Sequence, residues 1–123
     1  MNETDSNTTI AQARAWTNKF RDDRNWRQYH HPKNTLLGLV SEVGEIADIL
    51  RYLTDAQLKE LLANPEKKKE LDRELADVLW DLLYLSDDLN VDLASALREK
   101  IAHTEKKYPV EKTKGSNKKH DEY

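Results

Sequence analysis

Apolar residues recur along most of this chain at intervals of three and four, the period of an α-helix. From about Thr8 to Arg24, Ile10, Ala13, Trp16 and Phe20 predict a first helix with a threonine as its N-cap. The stretch NWRQYHHPKN breaks the pattern, because Pro32 disfavours helix immediately before it. A second helix is predicted from about Asn34 to Tyr52. The segment TDAQLKELLANP reads as a short capped helix ended by Asn64-Pro65. A third long helix, about Glu66 to Leu89, follows from Leu71, Leu75, Val78, Leu79, Leu82 and Leu85. Asp92 is the next N-cap, and a last helix of about Leu93 to Lys107 carries Leu93, Leu97 and Ile101 until Pro109 stops it. No segment alternates with a period of two, and three glycines suit an all-α chain. Four main helices with short connections predict a four-helix-bundle-like subunit that assembles through helix packing. Residues 1–7 are expected to be disordered, residues 8–109 to form the helical domain, and residues 110–123 to be a charged tail that does not fold alone.

Composition narrows the picture. The chain has 123 residues, enough for one modest core. Only 37% of residues are hydrophobic and 35% are charged, with a mean hydropathy of −0.91. That is poor in apolar surface for a lone subunit and predicts burial shared between copies. The net charge of −3 gives no case for nucleic acid or a membrane surface. No cysteine is present, which removes disulfides, thiolate nucleophiles and thiolate metal sites. The first ten residues lack the basic and apolar regions of a signal peptide, and no apolar run approaches a membrane span of roughly 18 residues. A cytoplasmic protein is expected.

The unusual feature lies in the second helix. LVSEVGEIAD sets Glu42 and Glu45 three residues apart among Leu39, Val40, Val43, Ile46, Ala47 and Ile49, which leaves no clean polar side. ELAD in the third helix repeats the oddity with Glu74 and Asp77. A three-residue step keeps two side chains on one face. If the two helices pack together, four carboxylates converge, and unpartnered buried charges are prohibitively costly. The acids stay protonated, hold a cation or, in the plainest alternative, face solvent. Oxygen-only ligands favour Mg²⁺, with Mn²⁺ possible, over zinc. A ferritin-like di-iron site needs two Glu-x-x-His pairs. None of His30, His31, His103 and His120 lies three after a glutamate.

EVGE, 28 intervening residues and then ELAD resembles the E-x-x-E…E-x-x-D signature of the MazG-like all-α nucleoside triphosphate pyrophosphohydrolases, most of all their dCTP pyrophosphatase branch. The flanks share the likeness: FRDDRNWRQYHHPKNTLLGLVSEVGEIADIL on one side, VDLASALREKIAHTEKKYPVEKTKGSNKK on the other. It covers roughly residues 13 to 119. The resemblance implies hydrolysis of a nucleoside triphosphate to the monophosphate and pyrophosphate by water attack on the α-phosphorus. It implies Glu42, Glu45, Glu74 and Asp77 as metal ligands, one glutamate also serving the water. It implies phosphate or substrate contacts from Lys100, Lys107 and Tyr108, and a base-stacking role for Trp26, whose plain alternative is to staple the helix start. His30 and Asn34 match polar residues of the family. Asn34 could equally cap the second helix, and His30 could be an ordinary loop histidine. The family pairs into dimers and tetramers, with sites drawing on more than one subunit.

Four positions depart from the dCTP-selective pattern. Tyr52 stands where a second tryptophan is expected, Thr17 where a histidine is, Asp81 where a tyrosine is, and Thr104 where an asparagine is. Asp81 follows Asp77 by four and shares its face. It could be a fifth metal-side acid, accept from an exocyclic amine, or pair with Arg51 or Lys100. Trp80 reads as core or subunit interface. The competing functional readings are a non-catalytic helical interaction module and a same-fold hydrolase for another base.

Overall fold

The computed structural model describes residues 2–122, and the described residues are helical with no strand. The helices are α1 (Ile10–Asp23), α2 (Pro32–Leu50), α3 (Asp55–Ala63), α4 (Pro65–Asp88), α5 (Leu93–Lys107) and α6 (Val110–Thr113). Two single 3₁₀ turns, Arg27–Tyr29 and His120–Glu122, complete the described elements.

Each start has a local chemical cause. The Thr9 hydroxyl accepts from the Gln12 N–H at 3.1 Å, while the Gln12 side chain accepts from the Thr9 N–H at 2.7 Å, a reciprocal capping box. Thr54 and Gln57 repeat the device at α3. Asn64 ends α3 and caps α4, accepting from the Glu66 and Lys67 amides with Pro65 at the first helical position. Asp92 caps α5 through the Ser95 amide. The start of α2 differs from the sequence expectation. Pro32 opens the helix and His31 is its cap residue, so Asn34 is an exposed first-turn residue rather than a cap. A proline at N1 loses nothing, because that N–H has no helical partner.

Pro109 lets the chain turn again into α6, where the Thr113 hydroxyl donates to the Pro109 carbonyl at 2.8 Å. At the other end, Asn7 closes a turn by accepting from the Thr4 amide and donating to the Asn2 carbonyl.

The chain divides into two compact units between Asn90 and Val91. In the first unit α4 is the hub: α1, α2 and α3 all pack on it. Its buried apolar residues are few, namely Leu71, Leu83, Tyr84 and Leu85. The second unit holds α5 and α6.

One tie between α1 and α4 is ionic. Arg21, fully buried, donates a two-pronged pair of hydrogen bonds to Asp88 at 3.1 and 2.8 Å and a third to Asp87 at 3.0 Å. Its guanidinium also lies 4.4 Å from the Tyr84 ring centre. Arg27, in the first 3₁₀ turn, joins the cluster through Asp22 and Asp87.

The end of α1 aims the next residues. Asn25 sits at φ 54°, the Trp26 N–H donates to Arg21 and the Asn25 N–H to Asp22. This is a Schellman termination, which characteristically brings the second residue past the cap against the last turn. Here Trp26 lands edge-on to Phe20 with centroids 5.7 Å apart. Asn25→Gly is expected to leave the melting temperature nearly unchanged. Asn25→Val is expected to cost about 1–2 kcal/mol in thermal denaturation, because a β-branched residue is strained at positive φ.

Candidate active site

Helices α2 and α4 run antiparallel, and three successive levels of their seam define the site. Glu45 lies against Glu74, within hydrogen-bond reach. One level along, Glu42 and Asp77 feel each other's charge. At the next level Gly38 faces Asp81, whose Oδ2 lies 3.6 Å from where a Cβ on Gly38 would sit. The spacings 38-42-45 and 81-77-74 keep all six residues on the contact faces.

The first levels are acidic. Carboxylate oxygens of Glu42, Glu45 and Glu74 lie within 4.8 Å of one another. Burial first, then the charges of Glu45 and Asp77, push the Glu42 carboxyl above its ordinary range. The Glu74 carboxyl is pushed up by its hydrogen bond to Glu45, then by burial and by the Glu45 and Asp77 charges. Two carboxyls share a hydrogen bond only when one is protonated, so without a cation a proton takes its place. The second oxygens of Glu42 and Glu74 are buried with no hydrogen-bond partner. Buried acceptors are rarely left so. The oxygen-only donor set, its closeness and its unpartnered oxygens fit a hard divalent cation. Asp77 stands beside this trio, at the edge of the adjoining cavity.

That cavity, about 190 Å³, is lined by Phe20, Trp26, His30, Glu42, Asp77, Trp80, Asp81 and Tyr84. Its rings brace one another. Phe20 meets Trp80 edge-on at 5.0 Å, Trp26 lies 6.5 Å from His30, and His30 lies tilted on Tyr84 at 4.9 Å. Burial first, then the Arg21 charge, lowers the His30 pKa, and Nδ1 is buried without a partner. Burial and the nearby Asp77 charge raise that of Asp81.

Seven residues singled out in the sequence therefore gather here: Glu42, Glu45, Glu74, Asp77, Trp26, His30 and Asp81. Others do not. Tyr52 is 77% exposed past the end of α2, where its hydroxyl meets Arg51. Asn34 is exposed in the first turn of α2. The Thr17 hydroxyl donates to the Arg14 carbonyl. Arg51, offered as a partner for Asp81, lies instead against Asp48 and Tyr52. Lys100, Thr104 and Tyr108 share a shallow groove on α5 with Ile101 and Glu105, and Lys107 is the last residue of that helix. Trp80 was read as core or interface, but it lines the cavity, as do Phe20 and Tyr84, which the sequence reading left out. Tyr84 follows Asp77 by seven and Asp81 by three, a helical spacing that could have flagged it.

The profile of the MazG-like family matches residues 45–122. The dCTP pyrophosphatase 1 of Rattus norvegicus is 36% identical over 108 residues, which is 88% of this chain and 64% of that protein. The human protein of the same name is 34% identical over 114 residues, 93% of this chain and 67% of that protein. The chain thus spans less than two thirds of the rat relative's length. The crystal structure of a pyrophosphatase from Archaeoglobus fulgidus superimposes with a TM-score of 0.75 at 30% identity, covering 89% of this chain and 98% of that one. The profile match, the relatives and the superposition agree with one another: the chain belongs to the MazG-like family.

Proposed function

We propose that the protein is a Mg²⁺-dependent nucleoside triphosphate pyrophosphohydrolase, with dCTP or a modified dCTP as its preferred substrate. One observation carries the reading: three glutamates with converging oxygens, two of them also holding a buried and unpartnered oxygen, stand beside a cavity that Glu42 and Asp77 line together with aromatic rings. The names of the rat and human relatives favour the cytosine nucleotide.

Glu42, Glu45 and Glu74 would hold the metal, with Asp77 next to them. A bound Mg²⁺ neutralises polyphosphate oxygens and makes a bound water more acidic. The protein's own groups do the rest. Trp26, Phe20 and Trp80 take a base by ring contact, a mode that contributes about 1–3 kcal/mol per base. With the base fixed at the ring end, the triphosphate falls towards the acids, and positioning lowers the barrier. Glu45, the exposed member of the trio, takes the proton that the attacking water loses. The bond between the α-phosphorus and its bridging oxygen breaks, and pyrophosphate leaves. The roles of Lys100, Thr104, Lys107 and Tyr108 at the phosphates rest on the resemblance alone.

The low apolar content and the exposed Leu36, Leu37, Val40, Val43, Leu75 and Leu79 on α2 and α4 support a homo-oligomer, a dimer or a dimer of dimers. No described helix is long and apolar enough to cross a membrane. We read the chain as a cytoplasmic enzyme of the nucleotide pool, with no nucleic-acid partner.

The test is pyrophosphate release across the common and 5-substituted deoxynucleoside triphosphates, with and without Mg²⁺. Mg²⁺-dependent release, greatest with a cytosine base, is expected. No release from any triphosphate by folded protein would sink the enzyme reading and leave a helical interaction module.

A further inference from the structure

We infer that Asp81 is the residue that selects the base, accepting a hydrogen bond from the exocyclic amine of an amino-pyrimidine and turning away uracil and thymine. The inference rests on the proposed nucleotide site and adds to it the group that reads the base.

The seam of α2 and α4 changes character at this level. Glu45 faces Glu74, and Glu42 faces Asp77, but Asp81 faces Gly38, which has no side chain. No second acid stands opposite Asp81 at this level, and its carboxylate lines the cavity. Around it stand Phe20, Trp26, Trp80 and Tyr84. None of the ion pairs among the described residues includes Asp81. Arg51 is engaged by Asp48 and Tyr52, and Arg21 by Asp87 and Asp88. The nearby basic group is His30, whose Nδ1 is buried without a partner.

Rings alone do not choose among bases, because every base has a π-face. A polar group at the edge must choose, and among the residues lining this cavity beyond Glu42 and Asp77, Asp81 is the one carboxylate. A carboxylate accepts hydrogen bonds and, when ionised, donates none. The 4-amino group of cytosine offers it a donor, a pairing that acids use to read cytosine elsewhere. Uracil and thymine place a carbonyl oxygen at that position, where it meets a second acceptor. The cavity, about 190 Å³, lies below the roughly 300 Å³ at which drug-sized pockets begin, which suits a single ring.

Product binding tests this without needing turnover. Trp26 and Trp80 report on the cavity, so quenching of tryptophan fluorescence is followed with dCMP and dUMP in the presence of Mg²⁺. The wild-type protein is expected to bind dCMP about 10-fold or more tighter than dUMP. Asp81→Asn, whose amide can donate as well as accept, is expected to bring that ratio close to one and to strengthen dUMP binding. Asp81→Ala, which removes both the acceptor for cytosine and the repulsion of uracil, is expected to erase the preference by weakening dCMP and easing dUMP, and circular dichroism checks that both variants are folded. An unchanged ratio in folded Asp81→Asn and Asp81→Ala, or a wild-type preference for dUMP, overturns the assignment. Selective, Asp81-dependent dCMP binding by a protein that hydrolyses no triphosphate would sustain it while the pyrophosphohydrolase reading fell. Hydrolysis of triphosphates with a base preference indifferent to Asp81 would do the reverse.

Discussion

Glu45→Ala protein is expected to lose about 10²–10³-fold in pyrophosphate release while keeping its helical circular-dichroism signal. Glu45 is the acid that touches both Glu42 and Glu74, so its removal opens the trio at its centre. It is also exposed, so the fold does not depend on it. The metal-free protein supplies a second readout. Glu42 and Glu74 have carboxyls raised above their unfolded values, so the folded chain binds more protons than the unfolded one between those values. In the presence of a chelator, stability is therefore expected to fall as pH rises through the raised carboxyls and to recover as pH drops towards the ordinary glutamate range. Added Mg²⁺ takes the place of those protons, so it should raise the melting temperature at neutral pH and flatten the pH dependence. In Glu45→Ala both the Mg²⁺ shift and the pH dependence should shrink. A variant that retains full turnover and the full Mg²⁺ shift would remove the metal assignment.

Arg21→Met is expected to destabilise the protein by about 3–5 kcal/mol in denaturant unfolding. Methionine fills similar space, so the loss is not a cavity. It leaves Asp87 and Asp88 part-buried without the guanidinium that binds both. Arg27 remains to pair with Asp87 and sits 3.7 Å from Asp88, which holds the cost within that range. The pair also has a signature in pH. Burial alone would raise the Asp87 carboxyl, but hydrogen bonds from Arg27 and Asn18 and the charges of both arginines hold it below its ordinary value. A depressed carboxyl stabilises the fold above its unfolded pKa, and that contribution is lost as pH falls through the folded one. Wild-type protein should accordingly lose stability below about pH 4, and Asp87→Asn should lose less of its own stability over that span. Because Arg21 stacks on Tyr84, and Tyr84 bears on His30, Arg21→Met should also loosen the ring wall of the cavity. A loss under about 1 kcal/mol would mean that the buried pair does not anchor α1.

Local chemistry made much of the architecture readable. The apolar period marked α1, α2, α4 and α5, and the Asn64-Pro65 and Asp92 signals located real helix starts. The start of α2 was misplaced because a proline can open a helix as well as forbid one, and nothing in HHPKN says which. The paired acids were legible because Glu42, Glu45, Glu74 and Asp77 interrupt apolar faces at three-residue spacing. The ring wall was not. Trp80 reads as core or interface, and nothing singles out Phe20 or Tyr84 for the site, since an aromatic residue on a helix face looks the same whether it meets a neighbour or a cavity.

What the sequence by itself determined is local: helix positions, their caps, and which acids share a face, all set by contacts within a few residues. Only the tertiary structure decided which face meets which. The antiparallel seam set Gly38 opposite Asp81 and left an opening among rings, while Tyr52, beyond the end of α2, stayed exposed. It also joined Arg21 to aspartates 66 and 67 residues distant. Packing of one helix on another fixes such pairings, and no local spacing encodes them.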